Sequence, residues 1–366
     1  MTPLPTETRQ WQLACHPVTY PKLEGPDATF EIAKVPLPAL NDGEALLQTI
    51  FISNDPAARV WITGGEAKPR EYVPPVKIGD KMRARSLSRV IDSKAQKLPV
   101  GTVVLAAGGW AEYFTAHEDQ CIVIPQDSDY DLPHYLGILG VTGLTAYYGL
   151  VEIAATTRDD VVVISGAAGA TGSTAVQVAK KIIGCNKVIG IAGTDEKCRF
   201  VETLGADVCL NYKSPTFYED LSKATEELAD VFFGIQNQLT AILPRKFTNN
   251  RGDILDFMFT RLRQGGRVAL CGSVSRYNNL SEKASFAHFD NVITQRLKIN
   301  GFVVLDYLKK LPTVIKIFQE AAKEGRLRVD DDSQTLVPAK FEEIPEVWVR
   351  LFEGKNQGKL VTKLLL

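Results

Sequence analysis

The chain is poor in the residues that hold metals and cross-links. Six cysteines (Cys15, Cys121, Cys185, Cys198, Cys209, Cys271) and four histidines (His16, His117, His134, His288) are scattered over 366 residues, with no C-x-x-C pair and no spaced Cys/His group. A disulfide scaffold and a zinc knot are therefore not expected, and no metal site is assigned. The cysteines read as reduced thiols, most of them small core residues, which implies a cytoplasmic location. No apolar run approaches the length of a membrane helix, and the stretch from Met1 to Gln12 lacks the apolar region of a secretory signal, so no membrane association is expected. Nor does one sign of charge dominate: 42 basic and 43 acidic residues leave a net charge of -1, with no basic block. Nucleic acid and anionic membrane are excluded as expected partners. Internal repeats and low-complexity tracts are absent.

What is present is an ordinary globular composition, 45% hydrophobic and 23% charged, in a chain long enough for two domains. Its most informative stretch is Val161-Val162-Val163-Ile164-Ser165 followed by Gly166-Ala167-Ala168-Gly169-Ala170-Thr171-Gly172. Four β-branched residues in a row predict a fully buried parallel strand. The small residues predict a tight turn, and Ser173 to Lys181 a helix. Strand, glycine turn and helix form the first unit of a dinucleotide-binding fold, in which glycines admit a pyrophosphate to the free N–H groups of the helix start. The spacing is G-x-x-G-x-x-G rather than G-x-G-x-x-G, so context has to decide between that and a plain tight turn.

Downstream, Lys187 to Ala192 predicts a second strand. An acid at its end would take the ribose hydroxyls of NAD, but Gly193 stands there, with Lys197 four residues on. Loss of the acid and gain of a cation favour a 2′-phosphate, hence NADPH over NADH. Asp195 reads as a helix N-cap rather than a ribose ligand.

Residues 1–136 hold short β-like runs separated by turn signals, which predicts a compact, mostly antiparallel β domain. Residues 136–150 read as a helix-rich linker packed tightly at its glycines. From 161 to about 305 strands and helices alternate, at Val208-Cys209-Leu210, 215–227, Asp230 to Phe233, 252–263, Arg267 to Gly272 and Lys298 to Leu305. This alternation argues for a parallel sheet covered on both faces. A helix over 311–324 and a last strand over 359–366 complete the chain, the strand returning to the first domain.

Taken together, these stretches resemble the medium-chain dehydrogenase/reductase superfamily, in its zinc-independent branch of alkenal and enone double-bond reductases. The resemblance covers nearly the whole chain. It rests on Lys34 to Pro38, Asn54-Asp55-Pro56, Gly143 to Tyr147, the glycine turn, Ala192 to Lys197, Leu204 to Asp207, Asn211-Tyr212-Lys213, Cys271 to Asn278 and Gly354 to Lys359. It implies an α/β fold, a Rossmann doubly wound domain over 137–307 and a β-rich GroES-like catalytic domain from 1–136 and 308–366, with NADPH in the cleft between them. It also implies a homodimer.

The implied cofactor contacts are as follows. Lys197 and Tyr212 hold the adenosine phosphate end. Ala168, Gly169, Ala170 and Thr171 line the pyrophosphate. Cys271, Gly272, Ser273, Val274, Ser275 and Tyr277, then Phe302, Val303 and Val304, flank the nicotinamide side, and Asn356 reaches in from the tail. The implied reaction is reduction of an α,β-unsaturated carbonyl, with Tyr277 as candidate donor to the carbonyl oxygen and acid toward the α-carbon. Two other roles stay open for Tyr277, bonding the cofactor and walling the pocket.

No Cys or His lies between His16 and His117, where zinc alcohol dehydrogenases place their first ligands. The chain departs from its branch twice. Ala57-Ala58 follows Asp55-Pro56 where relatives carry a tyrosine, which would widen the substrate pocket. Gly234-Ile235-Gln236-Asn237-Gln238 replaces an Asp-Asn-Val-Gly-Gly run that contacts the cofactor, and the segment to Gly252 looks longer. A quinone reductase of the same superfamily and a non-catalytic NADPH-binding protein stay open as alternatives.

Overall fold

In the computed structural model, which describes residues 3–64, 72–235, 254–272, 277–278 and 286–365, the chain forms two units. One is built from residues 1–136 and 334–366, the other from 137–333. The first unit opens with β1 (Glu7–Leu13) and β2 (Phe30–Pro36), an antiparallel ribbon. There follow β3 (Glu44–Ser53), a short α1 (Ala58–Trp61), β4 (Ser86–Ser93), β5 (Val103–Ala106), β6 (Tyr113–His117) and β7 (Ile122–Val123).

The second unit runs α2 (Val141–Tyr148), β8 (Val161–Ser165), α3 (Ala170–Gln177), β9 (Lys187–Ala192), α4 (Asp195–Thr203), β10 (Val208–Asn211) and α5 (Phe217–Ala224). It continues with β11 (Ala229–Ile235), α6 (Ile254–Met258), β12 (Leu262–Gly272), α7 (Asp290–Thr294), β13 (Lys298–Gly301) and α8 (Leu311–Lys323). Then β14 (Gln334–Ala339), α9 (Ile344–Glu353) and β15 (Lys359–Leu364) return to the first unit. There β15 lies antiparallel to β3 and parallel to β14, in a sheet ordered β14-β15-β3-β4-β5-β7 with β6 also on β3. This is the GroES-like, β-rich unit.

Among the described residues the second unit has six strands in the order β10-β9-β8-β11-β12-β13, every pairing parallel. Counted within the unit this is 3-2-1-4-5-6, the doubly wound Rossmann order. Its centre is β8, whose five residues are all buried. Each such apolar side chain taken out of water stabilises by roughly 1.5–3 kcal/mol, so the most apolar run of the chain goes to the middle of the sheet.

The return to the first unit comes at 334, not at 308 as expected. The reason is packing. Phe318 of α8 is fully buried against the ring of Tyr147 in α2, with centroids 6.0 Å apart. The side chain of Gln177 also donates to the Arg328 carbonyl at 3.3 Å and accepts from its N–H at 2.7 Å. The apolar run 298–305 is only partly a strand: β13 stops at Gly301 and a 3₁₀ turn over Val304–Lys310 follows. Among the described residues, no helix is long and apolar enough to cross a membrane.

Candidate active site

The expected cofactor residues of the second unit fall at one edge of its sheet. Ala168 to Thr171 follow the carboxyl end of β8, Lys197 lies in the helix after β9, and Tyr212 directly follows β10. Cys271 and Gly272 end β12, and Phe302 to Val304 follow β13. The strand order reverses between β8 and β11. In open α/β sheets ligands bind beyond the carboxyl ends of the strands at such a reversal.

At its centre is the mouth of α3. Gly166 has φ +61°, and a methyl group on Gly172 would lie 2.2 Å from the Gly166 carbonyl oxygen. Only glycine lets turn and helix approach so closely. Gly169 is the N-cap and supplies no side-chain acceptor for the first N–H groups of α3. Those donors and the helix dipole suit a diphosphate. The helix then passes into a π turn over Val178–Ile183 and ends at Gly184 with φ +82°. The cradle that a Cβ would fill and the uncapped helix mouth both fit a dinucleotide.

Beside this mouth is a cationic corner. Asn211 and Ala192 are the last register pair of β10 and β9, and Tyr212 N–H continues the pairing to the Ala192 carbonyl at 2.9 Å. Gly193 and Tyr212 thus lie side by side: a methyl group on Gly193 would meet the Tyr212 hydroxyl at 2.9 Å. Burial holds the Tyr212 phenol above the usual range, so it stays a neutral donor. Lys197 is half-buried in the first turn of α4. Burial lowers its basicity first and the neighbouring Lys213 ammonium second, against an opposing pull from Glu196.

The cap of α4 is Thr194, not Asp195: the Thr194 hydroxyl accepts the Lys197 N–H at 3.2 Å. Asp195 is the first helical residue, and its carboxylate accepts from the Asn211 amide at 2.7 Å. Thr194 offers the shorter hydroxyl one position earlier, which is where a cap must sit.

On the other side of the edge, Cys271 is half-buried and its thiol is directed at the Gly234 carbonyl at 3.7 Å. Burial pushes its pKa up to about 12, so it carries no thiolate. The Tyr277 hydroxyl lies 3.3 Å from where a methyl group on Gly272 would stand, which brings the phenol to the end of β12. Phe302 N–H donates to the Leu270 carbonyl at 3.2 Å, and Phe302, Val303 and Val304 are half-buried. Ser273, Val274 and Ser275 lie outside the described residues, as does 236–252 of the departing segment. Asn356 belongs to the first unit, where its amide donates to the Gly358 carbonyl at 3.3 Å. Of the paired alanines, Ala57 is half-buried at the start of α1, whereas Ala58 is in the core with Ile62 and Trp348.

Two contributors went unassigned at the level of sequence. Lys213 stands in the Asn211-Tyr212-Lys213 motif, and its charge bears on Lys197 in the helix after the neighbouring strand β9. Ser165, at the end of β8, presses its hydroxyl on Gly234 so closely that a methyl group there would lie 2.1 Å from it. The signal was a lone serine closing an otherwise apolar strand. Among the described residues, no group of three or more His, Cys, Asp or Glu side chains is arranged to hold a metal ion.

Residues 9–124 match the family described as N-terminal domain of oxidoreductase, and residues 170–244 the family described as zinc-binding dehydrogenase. Prostaglandin reductase 1 of Bos taurus is 32% identical over 97% of this chain and 98% of its own. The NADPH-dependent curcumin reductase of Escherichia coli (strain K12) is 29% identical over 97% and 96%. The crystal structure of CurA from Vibrio vulnificus in complex with NADPH superposes with a TM-score of 0.84 at 29% identity, covering 98% of this chain and 99% of that one. The chain therefore belongs to the medium-chain dehydrogenase/reductase superfamily, in its zinc-independent branch of alkenal and enone reductases.

Proposed function

We propose that this protein is an NADPH-dependent reductase of the carbon–carbon double bond of α,β-unsaturated carbonyl compounds, enals and enones. The observation that carries the reading is the pairing of a glycine-built helix mouth with a lysine and tyrosine corner at the switch point of the sheet. The first suits the diphosphate and the second the 2′-phosphate. A relative named an NADPH-dependent reductase and a similar structure in complex with NADPH support it.

When bound, NADPH supplies the hydride that the β-carbon of the substrate receives. The chain's own part is to hold and to protonate. The N–H groups at the start of α3 bind the diphosphate, while Lys197 and the Tyr212 hydroxyl bind the 2′-phosphate. The neutral Cys271 thiol keeps a second negative charge away from the reacting end. The Tyr277 hydroxyl donates to the carbonyl oxygen, where negative charge develops, and then serves as acid toward the α-carbon. The half-buried Ala57 leaves room for a bulkier substrate than a tyrosine would. Free thiols throughout fit a cytoplasmic location, and resemblance to the branch implies a homodimer, which light scattering would measure.

The test is loss of NADPH absorbance with a panel of enals, enones and quinones. Enone turnover is expected, and Tyr277→Phe should lower kcat for enones by about 10²- to 10³-fold while sparing any quinone turnover. Turnover of quinones alone would make it a quinone reductase, and binding without turnover of any compound would make it a non-catalytic nucleotide-binding protein.

A further inference from the structure

We propose that Lys213 is a second cation of the cofactor site, sharing the 2′-phosphate with Lys197 and adding to selection of NADPH over NADH. The inference rests on the NADPH reading above and adds to it a specificity-determining residue. Lys213 follows Tyr212 at the carboxyl end of β10, and its ammonium stands over the Tyr212 ring, 5.9 Å from the centroid. The same ring carries the hydroxyl that packs on Gly193. The Lys213 charge also bears on Lys197, in the helix that follows β9, and β9 pairs with β10 up to Ala192 and Asn211.

Asn211 fixes this arrangement from both ends of its amide. Its carbonyl oxygen accepts the Lys213 backbone N–H at 3.0 Å, and its amino group donates to the Asp195 carboxylate at 2.7 Å. One side chain thus orients the backbone that carries the second lysine. It also engages Asp195, one of the two acids in the first turn of α4.

Two ammonium groups that bear on one another repel, and a dianion between them would reverse the sign of that interaction. A 2′-phosphate carries about -1.5 to -2 charges at neutral pH, whereas the ribose hydroxyl of NADH carries none. The gain therefore falls on NADPH alone. Because Lys213 is solvent-exposed, the effect is modest and screened by salt.

The test is titration of the full-length protein with NADPH and with NADH, comparing Lys213→Met, Lys213→Arg and Lys197→Ala at low and high salt. Lys213→Met should weaken NADPH binding about fivefold and leave NADH within twofold, with the difference shrinking in high salt. Lys213→Arg should keep the preference. Equal loss for both nucleotides, or none, with Lys197→Ala still discriminating, would overturn the role of Lys213 alone. If neither lysine variant discriminates, the 2′-phosphate reading falls with it. If Lys213→Met discriminates and Lys197→Ala does not, the assignment of Lys213 stands and that of Lys197 is lost.

Discussion

Lys197 and Lys359 are both withdrawn from solvent, one in each unit, and their surroundings are opposite. Lys359 opens β15 with its side chain only 4% exposed, and it donates to the Asp55 carboxylate at 2.6 Å and to the Asn54 carbonyl at 3.0 Å. Asp55 in turn accepts from the Ser53 hydroxyl at 2.6 Å, and its carbonyl takes the indole N–H of Trp348 at 3.0 Å. Burial alone would raise the Asp55 carboxyl; Lys359, Ser53 and Arg85 outweigh it and hold the group below the usual carboxylate range. On Lys197 the like charge of Lys213 bears more strongly than the opposite charge of Glu196. A buried ammonium matched by its own carboxylate fastens two segments of chain. Under the proposed function, a withdrawn ammonium set beside another would take an anion from outside.

Three substitutions or conditions would break or sharpen that contrast. All four tryptophans, Trp11, Trp61, Trp110 and Trp348, lie in the first unit, so their fluorescence reports its unfolding alone. The largest effect is expected from Asp55→Ala, which leaves the Lys359 ammonium buried without its carboxylate. Denaturant unfolding followed by tryptophan emission should show a loss of about 3 kcal/mol. A loss below about 0.5 kcal/mol would mean the pair fastens nothing.

Next comes Lys197→Ala. NADPH binding should weaken about thirtyfold, near 2 kcal/mol, with NADH nearly unchanged and tryptophan-detected stability untouched. A shift in unfolding as large as that of Asp55→Ala would erase the distinction between the two lysines.

The smallest effect is a pH dependence. Because the folded protein holds Asp55 below its ordinary value, this carboxylate contributes stability that is complete above about pH 4 and is lost as the pH falls further. The acid limb of the tryptophan-detected stability profile should therefore be shallower in Asp55→Ala than in the unaltered protein. Identical limbs would show that Asp55 is not what titrates.

The parts legible in the sequence were those that neighbouring residues decide among themselves. Val161 to Ile164 have one comfortable environment, the middle of a covered sheet, and there they are. The small residues from Gly166 to Gly172 specify a close turn by volume alone. The local reading failed where one residue's role depends on another far away. Asp195 read as the cap of its helix until Thr194 took the position and the Asn211 amide took the carboxylate. Phe302 to Leu305 read as strand because they are apolar, yet the chain leaves the sheet at Gly301. Residues 308–333 read as part of the first unit until Phe318 was found buried against Tyr147.

By itself, the order of residues determined the class of fold, the helix mouth at Gly169 and the preference for a phosphorylated nucleotide implied by Gly193 and Lys197, because each depends on side-chain volume and charge within about 30 residues. Only the tertiary structure decided that the Lys213 charge bears on Lys197, since the two follow strands that pair side by side. It alone decided that Lys359 spends its charge on Asp55, 304 positions earlier in the chain, because long-range pairing of buried charges depends on which strands meet.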